Sequence, residues 1–195
     1  MFNGDALFTQ QLSIDGKGAI QVSNTLNAVK GTHNMLMRFG NHSQVTTDFV
    51  NLQWYGRGPE ENYQDRNTSA MVALYNGKVK DQYYPYVRPQ ESGNKTDVRW
   101  AKLTRKDGSG IMIAAIDTLL NINALPYSPE QLYSGPEKQQ KHSGELVADA
   151  NVHLDVDLRQ MGVGGINSWG EWPLEKYRLP FKNYSYQYLI IPINK

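Results

Sequence analysis

The sequence predicts an all-β fold built from antiparallel strands. In several stretches of its 195 residues, apolar and polar side chains alternate with a period of two, which is the spacing of a half-buried strand. Glycine-containing turns separate these stretches. The 12 tyrosines and 4 tryptophans outnumber the 5 phenylalanines. Aromatic rings with a polar group are common in β-strands and on partly solvated binding surfaces, including those that bind sugars.

Composition bounds the class of protein. With 20 basic and 19 acidic residues, the chain lacks the strong field expected of a partner of nucleic acid or of an anionic membrane. The absence of cysteine excludes disulfides, thiolate nucleophiles and Cys-ligated zinc. The longest apolar run, residues 111–116, is far shorter than the roughly 20 residues that span a bilayer. We expect a soluble protein, cytoplasmic or periplasmic depending on the sequence that precedes this chain.

The first half of the chain contains a hairpin and a further strand. Asp15-Gly16 separates two short apolar runs, which is typical of a tight hairpin. Val50, Leu52 and Trp54 share one face of an alternating segment. Asn76-Gly77 indicates another turn.

The second half contains a second hairpin and one short helix. Asp107-Gly108 lies in the turn that joins a strand at residues 99–103 to a buried strand at residues 111–116. Ser128-Pro129-Glu130-Gln131 combines a capping serine, proline at the first helical position and glutamine three residues after the cap. Gly135-Pro136 should end this helix within two turns.

Residues 146–158 show the cleanest alternation and predict a long half-buried strand. Apolar side chains occupy one face, and His153, Asp155 and Asp157 occupy the other. The polar face is expected at the surface. A last strand is predicted around residues 184–193, and the whole chain, 1–195, is predicted to be a single domain.

The first of three long loops, residues 54–66, groups carboxylates with arginines. Glu60, Glu61 and Asp65 lie close in sequence to Arg57 and Arg66. Paired carboxylates are what glycosidic bond cleavage requires. Loop carboxylates beside arginines are more often braces, and this interpretation is favoured.

The second and third loops contain aromatic rings. Residues 83–100 mix tyrosines, prolines and amides, which suits either a sugar-binding loop or, as we favour, an ordered structural loop. Residues 161–172 contain three glycines in four positions and then two tryptophans. A tryptophan there either stacks on a pyranose or folds back onto the core.

Histidines show no metal-binding spacing, and ordinary surface or loop roles are expected for all of them. They are His33, His42, His142 and His153.

Four motifs in the loops together resemble one family, the C-terminal small-chain domain of the large bacterial β-galactosidases of glycoside hydrolase family two. They are WYGRGPEENYQDR at 54–66, YYPY at 83–86, PQESGNKTDVRW at 89–100 and MGVGGINSW at 161–169. The resemblance is strong over residues 53–195 and rests on strand pattern alone over residues 8–50.

This resemblance implies an antiparallel supersandwich like that of galactose mutarotase. The copy is expected to be incomplete, because the family's domain begins with strands further upstream. In the family, the catalytic glutamates and the Mg or Na ions belong to a separate barrel domain, and a barrel needs about 250 residues. The resemblance therefore implies no catalytic residue, metal site or cofactor in this chain, and no catalytic role for Glu60, Glu61 or Glu91.

The resemblance also implies a substrate-binding site. A tryptophan in this position stacks on the sugar, which points to Trp169 with Ser168 and Asn167 beside it. Ile166 and Asn167 occupy the positions where the compared relative has two acidic residues. This difference argues against a role for negative charge in the loop, but it does not affect the stacking role of the tryptophan. The implied partners are a β-galactoside and the parent's barrel domain, in a homo-oligomeric enzyme.

Two other functions stay open from the residues. One is a stand-alone carbohydrate-binding module. The other is a sugar epimerase, which needs an acid and a base on opposite sides of a ring carbon, and for which His153 is the only nearby histidine.

Overall fold

The computed structural model describes residues 2–133, 141–167 and 169–194. Strands make up 48% and helical segments 9% of the structure, which confirms the predicted all-β class. No helix in the described part of the chain is long and apolar enough to cross a membrane.

Eleven strands and one short α-helix are found among the described residues. The strands are β1 (Ala6–Ile14), β2 (Ile20–Ala28), β3 (Arg38–Thr46), β4 (Asn51–Gly58), β5 (Met71–Lys78), β6 (Lys95–Val98), β7 (Trp100–Thr104), β8 (Gly110–Ala115), β9 (Leu120–Leu125), β10 (Asn151–Gln160) and β11 (Tyr184–Ile193), and the helix is α1 (Pro129–Leu132). Single 3-10 turns occupy Phe2–Gly4, Val79–Asp81, Ser143–Glu145 and Glu175–Tyr177.

The strands form two antiparallel sheets. The larger sheet has the order β1-β2-β11-β8-β7-β4-β5, and the smaller has the order β3-β10-β9-β6. Apolar side chains of both sheets form one buried cluster, to which Leu26, Leu103 and Ile113 contribute from the larger sheet and Ile122 and Val156 from the smaller. Burial of this shared face is the main force that holds the sheets together.

Two of the three predicted turns are confirmed. Asp15 Oδ1 accepts hydrogen bonds from the backbone N–H groups of Lys17 and Ala19 at 2.8 and 2.9 Å, and this closes the β1–β2 hairpin. Asp107 performs the same task between β7 and β8. The turn predicted at Asn76-Gly77 is wrong, because both residues lie inside β5 and pair with β4.

The predicted helix is confirmed at its start. The Oγ of Ser128 accepts a hydrogen bond from the N–H of Gln131 at 3.2 Å, as a capping residue should. The helix ends at Leu132, and the expected stop at Gly135-Pro136 lies outside the described residues.

The long strand predicted at residues 146–158 begins later and ends later than expected. β10 runs from Asn151 to Gln160, and Val147 is 75% exposed. Pairing explains the start: Asn151 already faces Thr46, the last residue of β3, and β9 ends opposite His153. An alternating segment without a partner strand has no ladder to join.

The polar face of β10 is buried rather than exposed. His153, Asp155 and Asp157 are 4%, 6% and 1% exposed. The prediction of a surface face was therefore wrong, and so was the surface role expected for His153. A period of two shows which residues share a face, but not whether further chain covers that face.

Close packing beside Asp157 requires a glycine in the neighbouring strand. Gly40 of β3 pairs with Asp157, and a Cβ at Gly40 would lie 1.7 Å from Asp157 Oδ1 and 2.6 Å from Asp157 Cα. Rotation of the aspartate cannot relieve the backbone part of this overlap.

We expect Gly40→Ala to lower the free energy of unfolding by about 1–3 kcal/mol through overpacking, measured by urea denaturation. Gly144→Ala is the matched control, because no atom lies within 4 Å of a Cβ there. Equal denaturation midpoints for the two variants would contradict this account of Gly40.

Candidate functional site: the loop that carries Trp169

Trp169 lies in the loop that follows β10, and its side chain faces solvent. The residue is 94% exposed, and Trp172 in the same loop is 45% exposed. Large aromatic residues are usually well buried. The alternative in which this tryptophan folds back to cap the core is therefore wrong for Trp169.

Asn167 shapes the tip of this loop. Its Oδ1 accepts hydrogen bonds from the N–H groups of Trp169 at 2.8 Å and Glu171 at 3.4 Å, an arrangement typical of asparagine in turns. Gly170 follows with a φ of +90°. Asn167 thus positions the backbone of Trp169, and Ser168 lies outside the described residues.

The base of the loop is fixed by Asp65 from the first predicted loop. Asp65 Oδ2 accepts a hydrogen bond from the N–H of Gly164 at 2.7 Å. A Cβ on Gly162 would lie 2.7 Å from Asp65 Cγ, so a glycine is needed for the carboxylate to approach. Tyr177 adds a second attachment, since its carbonyl accepts from Gly162 N–H at 2.8 Å and from Gln64 Nε2 at 2.6 Å.

Glu61 is a brace, as the favoured interpretation of the first loop predicted. Its side chain is 5% exposed and ion-pairs with Arg66. It accepts a hydrogen bond from the Tyr86 hydroxyl and another from the N–H of Gly93, the latter at 2.6 Å. These contacts tie the first loop to the second.

Buried amides make a second connection between the same two loops. The N–H of Asn62 donates to the carbonyl of Asn94 at 2.8 Å, and Asn94 Nδ2 donates back to the carbonyl of Asn62 at 2.8 Å. Asn62 Oδ1 also accepts from the N–H of Thr96 at 2.9 Å. The ordered structural loop predicted for residues 83–100 is confirmed in this part.

A buried lysine at the start of β6 forms a hydrogen bond with the backbone of the second loop. Lys95 is 2% exposed, and its Nζ donates to the carbonyl of Gly93 at 2.9 Å and lies 5.2 Å from the ring of Trp54. Burial lowers the pKa of Lys95 to about 8, against a smaller opposing effect from Glu61 and Glu60.

The sequence did not reveal a second polar cluster, which includes Glu91 and His153. Both line a cavity on the outer face of the smaller sheet together with Arg38 and Asp155, and Trp169 does not line it. Arg38 had no sequence signal, because its partner Asp155 is 117 positions away. Within residues 2–133, 141–167 and 169–194, no group of three or more His, Asp or Glu is placed to hold a metal ion.

Comparison with known proteins decides the family. The sequence profile described as "Beta galactosidase small chain" matches residues 4–190. The chain belongs to the β-galactosidase small chain family. The match includes residues 8–50, where only the strand pattern had suggested it.

Curated relatives support this membership. The β-galactosidase of Priestia megaterium is 49% identical over 71% of this chain, and that of Halalkalibacterium halodurans is 37% identical over 83%. A β-galactosidase of Streptococcus thermophilus is 30% identical over 93% of the chain. This small chain spans 13%, 16% and 17% of the length of these relatives, respectively.

We expect Asp65→Ala to release the base of the Trp169 loop while the small chain stays folded. The hydrogen bond to Gly164 involves a charged acceptor, and such bonds contribute about 1.5–3 kcal/mol. Amide hydrogen exchange at Gly164 should therefore accelerate about 10- to 100-fold. The N–H of Gly162, which donates to Tyr177, is the internal control, and unchanged exchange at Gly164 would contradict the anchoring role.

The lowered pKa of Lys95 predicts a pH dependence of small-chain stability. The folded state loses the lysine proton near pH 8 and the unfolded state near pH 10.4. The unfolded state thus binds more protons in this window, and the Lys95 contribution to stability rises with pH by about 3 kcal/mol in total.

Denaturation midpoints of the wild type and Lys95→Met, measured from pH 7 to 10.5, test this dependence. The wild type should gain stability relative to the variant as pH rises, because methionine has no proton to lose. Parallel curves would show that Lys95 titrates as an ordinary surface lysine.

Proposed function

We propose that this chain is the non-catalytic, substrate-lining domain of a β-galactosidase that hydrolyses terminal β-D-galactosides. Trp169 presents its ring to the sugar, and Asn167 sets the backbone that holds the ring, with Ser168 between them. The observation that carries the proposal is a 94% exposed tryptophan at the tip of a loop whose base is hydrogen-bonded to the sandwich. An exposed ring on an anchored backbone offers a flat apolar face for stacking.

Two of the carboxylates considered for glycosidic cleavage, Glu61 and Asp65, have other tasks in this structure. Glu61 is held by Arg66, Tyr86 and Gly93, and Asp65 is held by the loop of Trp169. Glu91 lies beside Arg38, with 3.7 Å between the charged atoms. We therefore place the hydrolytic carboxylates, and any Mg or Na that assists them, in the parent's barrel domain, against which this domain would pack in a homo-oligomeric enzyme.

The epimerase alternative needs a free histidine base, and the structure does not favour it. His153 and Glu91 do line one cavity. However, His153 Nδ1 lies 3.2 Å from His42 Nε2, and its Nε2 lies 3.0 Å from Asp149 Oδ2. Both ring nitrogens therefore have protein partners, which leaves neither poised to take a proton from a sugar.

We expect Trp169→Ala in the parent enzyme to weaken substrate binding by about 1–3 kcal/mol, because an aromatic contact is lost. Steady-state kinetics with lactose and with a chromogenic galactoside measure this effect. Trp172→Ala is the matched control, since it removes a less exposed ring from the same loop. If KM and kcat are unchanged in the Trp169 variant, the assignment of Trp169 fails.

The same division of labour predicts that the 195-residue chain alone does not turn over a chromogenic β-galactoside. The measurement is colour release under conditions in which the parent enzyme is active. Robust turnover that survives repeated purification would refute the non-catalytic role.

A further inference from the structure

A cavity of about 510 Å³ lies on the outer face of the smaller sheet. Pockets for small ligands typically have volumes of roughly 300–1,000 Å³, so this one has room for a small ligand. Strands β9 and β10 provide its floor through Asn123, His153 and Asp155, and the second loop provides one wall through Glu91. No role in the proposed function uses this cavity.

The pairing of β10 with β3 and β9 brings the polar side chains of the cavity floor together. Asp155 faces His42 on one side and Asn123 on the other. Arg38 Nη1 lies 3.2 Å from Asp155 Oδ2, and Arg38 Nη2 lies 3.1 Å from Asp157 Oδ2. One arginine thus holds two buried carboxylates and fixes the geometry of the floor.

Three lining residues have a buried polar atom without a hydrogen-bond partner among the described residues. These atoms are Arg38 Nε, Glu91 Oε1 and Asn123 Oδ1. The first is a donor, and the other two are acceptors when the carboxylate is ionised. Buried polar groups are rarely left unpaired, and Glu91 Oε1 also lies 3.7 Å from Arg38 Nη2. Donors and acceptors thus lie side by side in the lining, which suits a ligand whose groups both donate and accept.

The charges that line the cavity nearly balance. Arg38 and Arg88 oppose Glu91 and Asp155. Burial raises the pKa of Glu91, with Arg38 acting in the opposite direction. Burial lowers the pKa of Arg38, but the carboxylates of Asp157, Asp155 and Glu91 raise it by more. A balanced lining gives no net attraction to an anion or a cation.

Apolar and aromatic side chains form the remaining walls. They include Met37, Leu125, Tyr127, Leu132 and Tyr133. Apolar walls around a few convergent polar groups are the usual composition of a small-molecule site. The CH groups of a sugar ring or a similar polyol can pack on such walls while its hydroxyls reach the floor.

We propose that this cavity binds a neutral polyhydroxylated ligand of monosaccharide to disaccharide size, independently of Trp169. Hydroxyl groups donate and accept at once, so a ligand of this class can pair with both the arginines and the carboxylates of the lining. Met161 and Val163 at the base of the Trp169 loop line the cavity, but Asn167 and Trp169 at its tip do not, so this site goes beyond the proposed function.

The test is a titration of the 195-residue chain with D-galactose, D-glucose and lactose, followed by ¹H–¹⁵N chemical shifts and by calorimetry. We expect saturable shifts at Asn123 and His153. Galacturonate and galactosamine provide the anionic and cationic comparisons, and both should bind no more tightly than galactose.

Two variants locate the binding. Met37→Trp fills the mouth of the cavity and should weaken affinity at least about tenfold. Met71→Trp is its matched control, because Met37 and Met71 are 66% and 70% exposed and Met71 lies in the edge strand β5. Glu91→Gln should weaken affinity about three- to tenfold by removing a charged acceptor, and exposed Glu60→Gln should not. If Met37→Trp does not fold, Glu91→Gln decides.

Three results would overturn the proposal. One is the absence of saturable shifts with all three neutral sugars up to about 100 mM, a range that detects even weak binding. Another is tenfold tighter binding of galacturonate or galactosamine, which would mark an ion site. The last is loss of binding in Trp169→Ala, which would place the ligand on the loop instead.

Discussion

The register of β10 between β3 and β9 is the constraint on which the rest of this structure depends. Pairing with both neighbours sends Val152, Leu154 and Val156 into the shared core, where they are 3%, 2% and 2% exposed. It sends the intervening residues to the outer face. A slip of one residue would place acids in the core and valines in the cavity. The same strand then delivers the chain to the loop that carries Trp169.

Polar contacts, rather than the burial of apolar side chains, hold the three long loops in place. Glu61 connects the first and second loops, and Asp65 connects the first and third. Each carboxylate accepts a hydrogen bond from a backbone N–H group of a segment distant in sequence. Hydrogen bonds to a charged acceptor are stronger than hydrogen bonds between neutral groups. Residues that resemble a hydrolytic pair in sequence thus hold the three loops together.

The sequence predicted the strands better than it predicted their surroundings. Asp15-Gly16, Asp107-Gly108 and the Ser128 cap act through neighbours a few residues away, so the chain itself contains their signal. Asn76-Gly77 was misassigned because pairing with β4 overrides local turn preference. One of the two hypotheses drawn from the sequence placed a tryptophan of this loop at the surface, where Trp169 lies. The sequence also placed Asp155 and Asp157 at the surface, whereas the structure buries them. Their burial depends on Arg38 and the second loop, which only the folded chain brings to β10.

The contact between Asp65 and the glycine loop links two positions 97 residues apart. The carboxyl group of Asp65 occupies the space that a side chain at position 162 would need. A side chain at position 162 fits only if the carboxylate of Asp65 moves away, which would break its hydrogen bond to Gly164. The glycine at position 162 and the aspartate at position 65 therefore act together to hold the loop that contains Trp169.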